Sequence, residues 1–291
     1  MSKCCLDILL LTDNGLDTVG GEQESTKIII SGVKDKYSLG VVQPGKISDP
    51  ETGVKYFDLT EHTRLKHLIR FSLSFIRYIM EVKKIITAYK PRIIHTQAQV
   101  SFFMVALLKK FGFIAKDSYI IHTERGLYTK YSKPIRQLFY FLMKELNLLV
   151  TTTEFNMKHW KKALDKKGIT LDYRLIENTA GELFETLDES LISSNEERII
   201  VGFAGRYTEW KNWPLAVEIS KKLNEIIGDG LEIKMAIGCL DKKSLKHTKN
   251  MYAELSEVLG DRFDGKINIT LEEMDKFYYD IDVFVLTSHY N

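Results

Sequence analysis

The sequence predicts an α/β chain made of two doubly wound parallel-sheet domains, and three observations lead there. Short apolar runs alternate with amphipathic helical patterns along the 291 residues. Runs of that kind are strands covered on both faces, which is how a parallel sheet reads. The alternation breaks once, over an acidic, polar stretch at 179–197, and then restarts. The length is enough for two domains, each with its own core.

In the first domain (1–178) the expected strands are "CLDILLLT" (5–12), "YSLGVV" (37–42), "VKYFDL" (54–59), "RIIHT" (92–96), "SYIIHT" (118–123), "NLLVTTT" (147–153) and "YRLIEN" (173–178). Helical patterns lie between them near 22–33, 64–89, 98–111, 134–146 and 154–166. Pro91 and Pro134 stand at element starts, where a missing N–H costs least. The stretch "TAGELFETLDESLISSNEE" (179–197) has no strong period and reads as a linker. In the second domain (198–291) the strands are "RIIVGFAG" (198–205), "LEIKMAIG" (231–238), "INIT" (267–270) and "VFVLT" (283–287). Helices are expected near 213–227, 243–259 and 271–279. A buried strand at 283–287 should lead into a covering helix, yet the sequence stops four residues later, so this domain is expected to be incomplete.

Charge and cysteine content narrow the function. With 41 basic against 39 acidic side chains, the net charge of +2 argues against a dedicated nucleic-acid binder. Any anion site must be local. Cys4, Cys5 and Cys239 are odd in number and show no metal-ligand spacing, which fits a reducing cytoplasm without disulfides or zinc. Asp7 interrupts the first apolar run, so it reads as a strand and not as a signal peptide.

The stretch "VGFAGRYTEWKNWPLAVEI" (201–219) carries the chemistry. An apolar strand ends at Gly205, Arg206 follows, and Lys211 precedes a helix start with Pro214 in its first turn. In a doubly wound sheet, ligands bind beyond the carboxyl ends of the strands, where free N–H groups of helix starts attract anions. Arg206 offers a fork for a phosphate and Lys211 a mobile charge, a pair that suits a diphosphate. The alternative is a solvated turn in which Arg206 pairs with Glu209 or Glu218. Gly20 and Gly21, before "EQESTKIII", allow close backbone approach to a phosphate or a hydroxyl; a plain loop is their other reading. His95 and His122 each end an apolar strand, and His95 reads as a packing residue. Asp13 and Glu124 are either hydroxyl-orienting carboxylates or solvated loop acids.

"GFAGRYTEWKNWPLAVE" resembles the donor-phosphate motif of the retaining GT-B glycosyltransferases of family 4, which include capsular and lipopolysaccharide sugar transferases. Further stretches fall in the family's order: "TDNGLDTVGGEQEST" (12–26), "KPRIIHTQ" (90–97), "IIHTERGLY" (120–128), "LLVTTTEFNMKHW" (148–160), "IENTAGELF" (176–184) and "MDKFYYDIDVFVLTS" (274–288). The resemblance implies two Rossmann-like domains, the second truncated here. It implies a nucleotide-diphosphate sugar donor contacted by Gly20, Gly21, Arg206 and Lys211, with His122 as the catalytic-site histidine near the donor sugar. The sequence departs from the family at Asn178-Thr179-Ala180-Gly181, where Asn-Gly is usual. It also ends at Asn291, about where the first of two donor-site glutamates would stand.

The activity so implied is sugar transfer with retention to a saccharide or lipid-linked acceptor, in capsular or surface polysaccharide synthesis. No cofactor is expected. No Asp-x-Asp occurs to hold a metal on the diphosphate, so metal-independent chemistry is expected, with the cations neutralising the leaving nucleotide. A non-catalytic GT-B-like binding partner, or an inactive truncated product, is the alternative; a sugar-nucleotide epimerase is a third. The stretch "RLKHLIRFSLSFIRYIMEVKKIITAYK" (64–90) mixes cations with aliphatics. It reads either as a core helix with a basic face or as a peripheral contact with the inner face of the cell membrane.

Overall fold

Ile8–Leu11 forms strand β1, with Leu9, Leu10 and Leu11 buried. Strand alternation sends these side chains to opposite faces of a sheet. Leu9 and Leu11 join a cluster with Val82, Phe102, Phe139 and Trp160, whereas Leu10 packs in a second cluster with Ile30, Leu39 and Val41. Both faces are therefore covered by apolar layers, as the run of leucines requires. A computed structural model of the chain describes residues 5–18, 20–179, 190 and 197–289. It divides into two units, Met1–Thr179 and Ala180–Asn291.

The first unit is a seven-stranded sheet in the order β3-β2-β1-β4-β5-β6-β7. Its further strands are β2 (Leu39–Gln43), β3 (Val54–Asp58), β4 (Ile93–Thr96), β5 (Tyr119–Glu124), β6 (Leu148–Thr151) and β7 (Asp172–Leu175). Every pairing is parallel. The helices are α1 (Gly21–Val33), α2 (Leu65–Leu68), α3 (Ser72–Tyr89), α4 (Gln99–Lys110), α5 (Lys133–Leu142) and α6 (Glu154–Asp165). All seven expected strands are present. The single helix expected over 64–89 is broken into α2 and α3. Arg64 bridges to Asn14, the Leu65 N–H donates to the Asp13 carbonyl, and Leu65 and Leu68 are buried, so α2 is tied to the loop after β1.

The second unit is a four-stranded parallel sheet in the order β10-β9-β8-β11. It comprises β8 (Ile199–Arg206), β9 (Leu231–Gly238), β10 (Phe263–Ile267) and β11 (Val283–Phe284), with α7 (Trp213–Ile227), α8 (Lys242–Leu259) and α9 (Leu271–Tyr279). The strand expected at "INIT" lies earlier, at "FDGKI". Asn268 sits in the left-handed region and its side chain accepts the Cys239 N–H, while Thr270 caps α9. Gly265, which weakens the strand signal, has Tyr252 packed where a Cβ would be, 2.6 Å from the ring. The strand expected to be buried at 283–287 pairs at only two residues, and Val283 and Phe284 are exposed because β11 is an edge. Among the described residues no helix is long and apolar enough to cross a membrane. Most of the stretch expected as linker, 179–197, and Asn291 lie outside the described residues.

Candidate functional site

Both sheets reverse their direction of growth at one point. In the first unit the reversal lies between β1 and β4, in the second between β8 and β11. At such points the loops leaving neighbouring strands diverge and open a crevice at the carboxyl edge.

In the second unit, β8 ends at Gly205 and Arg206. Gly205 has φ +148, a conformation that L side chains rarely adopt, and the Lys211 stem lies over it, with Cε 3.2 Å from where a Cβ would stand. The Arg206 stem passes beside Gly238, again where a Cβ would sit, at 3.5 Å. The two glycines thus make room for the two cations. Asn212 enters α7 in the left-handed region and gives the helix no side-chain cap; Pro214 occupies its first turn. The buried Trp213 fixes the loop by donating from Nε1 to the Arg206 carbonyl at 3.1 Å. The segment after β11 closes on the same loop. Thr287 Oγ1 donates to the Lys211 carbonyl at 2.6 Å, and the His289 N–H donates to the Trp210 carbonyl at 3.0 Å. A small hollow here is lined by Ala204, Lys211, Trp213, Thr287 and Ser288. Among the described residues neither Arg206 nor Lys211 has an ion pair, so the pairing of Arg206 with Glu209 or Glu218 is not formed.

The first unit's edge is organised differently. Asp13, just beyond β1, turns its carboxylate inward to accept the Val100 and Ser101 N–H groups at the start of α4, each at 2.7 Å. Burial raises its pKa. The Asp13 N–H in turn donates to Glu22 Oε1 at 3.0 Å. Burial, then the neighbouring Asp13 carboxylate, push the Glu22 carboxyl up to about 7. Gly20 and Gly21 begin α1 without a side-chain cap, and Glu22 and Glu24 stand in its first turn. Glu22 is turned into the buried network with Asp13, and Glu24 pairs with Lys27 at 3.2 Å.

His122, expected near a donor sugar, faces inward. Along β5 the side chains of Ile120, His122 and Glu124 share one face by alternation, and all three are buried. The imidazole stacks on Phe102 at 4.4 Å, its Nδ1 meets Thr96 Oγ1 at 3.0 Å, and its Nε2 meets Glu124 Oε2 at 3.3 Å. In this position it holds Glu124 and leaves no ring nitrogen for a ligand. Glu124, whose other reading was a solvated loop acid, is also buried, and accepts the Gly126 N–H at 2.6 Å and the Tyr131 hydroxyl at 2.8 Å. His95 is packed; burial, His122 and Arg125 push its pKa down to about 3, so it is neutral.

Arg125 is the cation at this edge. Its Nη2 donates to Ser25 Oγ at 2.7 Å and Gln97 Oε1 at 2.9 Å, and its Nη1 to Asn178 Oδ1 at 3.0 Å. Its Nε is buried with no partner among the described residues. Ser25, Gln97 and Glu22 had no signal in the sequence, because α1, β4 and β5 bring them together from far apart. Among the described residues no three His, Cys, Asp or Glu side chains are grouped to hold a metal ion.

Two parallel sheets, each with its loops opening at a strand-order reversal, define a class of fold: the chain has the Rossmann-like GT-B fold. No family model and no curated protein matches the sequence. Solved structures do match in fold. Sucrose-phosphate synthase from Thermosynechococcus elongatus aligns with a TM-score of 0.69 at 14% identity, over 98% of this chain and 76% of that one. The catalytic domain of starch synthase IV from Arabidopsis thaliana, bound to ADP and acarbose, gives 0.67 at 12%, over 99% and 79%. Anabaena Alr3699/HepE in complex with UDP-glucose gives 0.67 at 12%, over 97% and 74%. At such identities the likeness establishes the fold.

Proposed function

We propose that this chain is a glycosyltransferase that takes a sugar from a nucleotide-diphosphate donor and passes it to a saccharide or lipid-linked saccharide in the cytoplasm, in surface polysaccharide synthesis. The observation that carries this reading is that Arg206 and Lys211, which have no ion pair among the described residues, stand beside the start of α7, which carries no side-chain cap. An anionic diphosphate is the ligand those groups fit: a guanidinium fork and a mobile ammonium beside the positive end of a helix dipole. Neighbours in fold that were solved with UDP-glucose or with ADP support the choice of a nucleotide donor.

In the reaction, the acceptor hydroxyl attacks the anomeric carbon while the nucleotide diphosphate leaves from the same face, so configuration is retained. The proton passes to the departing phosphate oxygen, and Arg206 and Lys211 take up the charge that develops there. Gly20 and Gly21 serve sugar hydroxyls through their backbone N–H groups, and Arg125 with Gln97 orders the loops around them. His122 is a positioning residue, acting through Glu124.

The test is turnover of UDP-, GDP- and ADP-sugars by the chain, with and without a saccharide acceptor. Arg206→Ala should lower turnover by about 10²- to 10³-fold, the usual effect of removing one preorganised charge-stabilising donor. Tight binding of a nucleotide sugar without any turnover would sink the transferase in favour of a binding protein. Interconverted nucleotide sugar without acceptor would indicate an epimerase.

A further inference from the structure

Helix α3 is apolar on two sides. Its inner side buries Tyr78, Val82, Ile85 and Ile86. On the opposite side Leu73, Ile76 and Met80 recur at helical spacing and are exposed, Leu73 to 81%. Phe71, 58% exposed, and Ile69 extend this patch through the turn from α2. A surface helix ordinarily turns polar residues outward, and a contiguous apolar face marks an interaction site.

Charge specifies the partner. Lys66, Arg70 and Arg77 are exposed along the same stretch, and among the described residues none has an ion pair. From His62 to Met80 there is no Asp or Glu at all. The flanking acids are occupied, Glu61 with Lys46 at 3.5 Å and Glu81 with Lys84 at 2.6 Å. Aliphatic and aromatic side chains set among unpaired cations complement an anionic bilayer, with apolar groups inserted and cations at the headgroups. We infer that the outward face of α2 and α3, from Lys66 to Met80, docks on an anionic membrane surface. The inference deepens the proposed function, because it places the acceptor among lipid-linked saccharides, but the docking itself is read out separately.

Cosedimentation of the full chain with vesicles tests it. The chain should pellet with phosphatidylcholine vesicles containing phosphatidylglycerol, remain in the supernatant with phosphatidylcholine alone, and be released by salt. Replacing Arg70 and Arg77 by Ser should lower partitioning about five-fold per cation removed. The double variant Phe71→Ser, Leu73→Ser should abolish binding while its urea midpoint stays within error of the parent's, because both side chains are exposed. Turnover on a water-soluble acceptor should be unchanged in all these variants, so failure of docking and failure of transfer are told apart. Absence of the parent chain from the anionic-vesicle pellet would overturn the inference, as would equal binding to neutral vesicles or unimpaired binding by the double variant.

Discussion

Asp13, Glu22, Glu124 and Arg125 at the carboxyl edge of the first sheet are all held by hydrogen bonds from within the same unit. Arg206 and Lys211, at the corresponding edge of the second sheet, have no ion pair among the described residues. Helix starts cut across that contrast, with closed and open ones in both units. The start of α4 is closed by Asp13, that of α6 by Thr153, and those of α8 and α9 by Asp241 and Thr270. The starts of α1, α2, α3, α5 and α7 carry no side-chain cap. The same fold therefore yields one edge whose charges are held by internal hydrogen bonds and another whose two cations have no ion pair among the described residues. A buried charge without its partner is costly, whereas an exposed one costs little.

That contrast can be broken by measurement. The largest effect should come from His122→Ala, which leaves a cavity beside Phe102 and strips Glu124 of a partner. A loss of about 3–5 kcal/mol in urea unfolding is expected, and a loss below 1 kcal/mol would mean the first edge is not self-supporting. Next is the pH response of Glu22. Its folded pKa of about 7 lies above the 4.5 of an unburied glutamate. The folded state holds this proton more tightly, so the contribution of Glu22 to stability is fully present below about pH 4.5 and is lost as pH rises towards 7. The loss is at most about 3 kcal/mol. Glu22→Gln should flatten the pH–stability profile across that window; an unaltered slope would remove Glu22 from the buried network. Gly205→Ala should cost about 1–3 kcal/mol from backbone strain at φ +148, read as a lowered urea midpoint. A cost near zero would show that the turn under Lys211 relaxes. The smallest effect should be Arg206→Ala, within about 0.5 kcal/mol of the parent in stability. A larger loss would make that arginine structural and erase the difference between the two edges.

Legibility in the sequence follows the same division. "VGFAGRYTEWKNWP" is contiguous, so the strand end, the two cations and the helix start could be read together; Arg206 ends β8, and Lys211 lies in the turn before Trp213 opens α7. The first edge draws on Glu22, Ser25, Gln97, Arg125 and Asn178, which only the strand order assembles, and no local spacing announces them. His122 shows the limit of strand-end reasoning. A histidine ending an apolar strand can point to either face, and here alternation with Ile120 sends it inward against Phe102. The apolar runs of the first sheet were legible because burial on both faces leaves a continuous signal. β10, with Asp264, Gly265 and Lys266 in five residues, leaves almost none.

The bond from Asp13 to the start of α4 has a consequence for biosynthesis. The acceptor carboxylate and the N–H groups it receives are 87 and 88 positions apart. A ribosome makes the carboxylate first, so the helix can meet its anchor as soon as it emerges. A circular permutant opened between β2 and β3 would reverse that order of appearance, and α4 would have to wait, its first turn frayed, for the last part of the chain to be made.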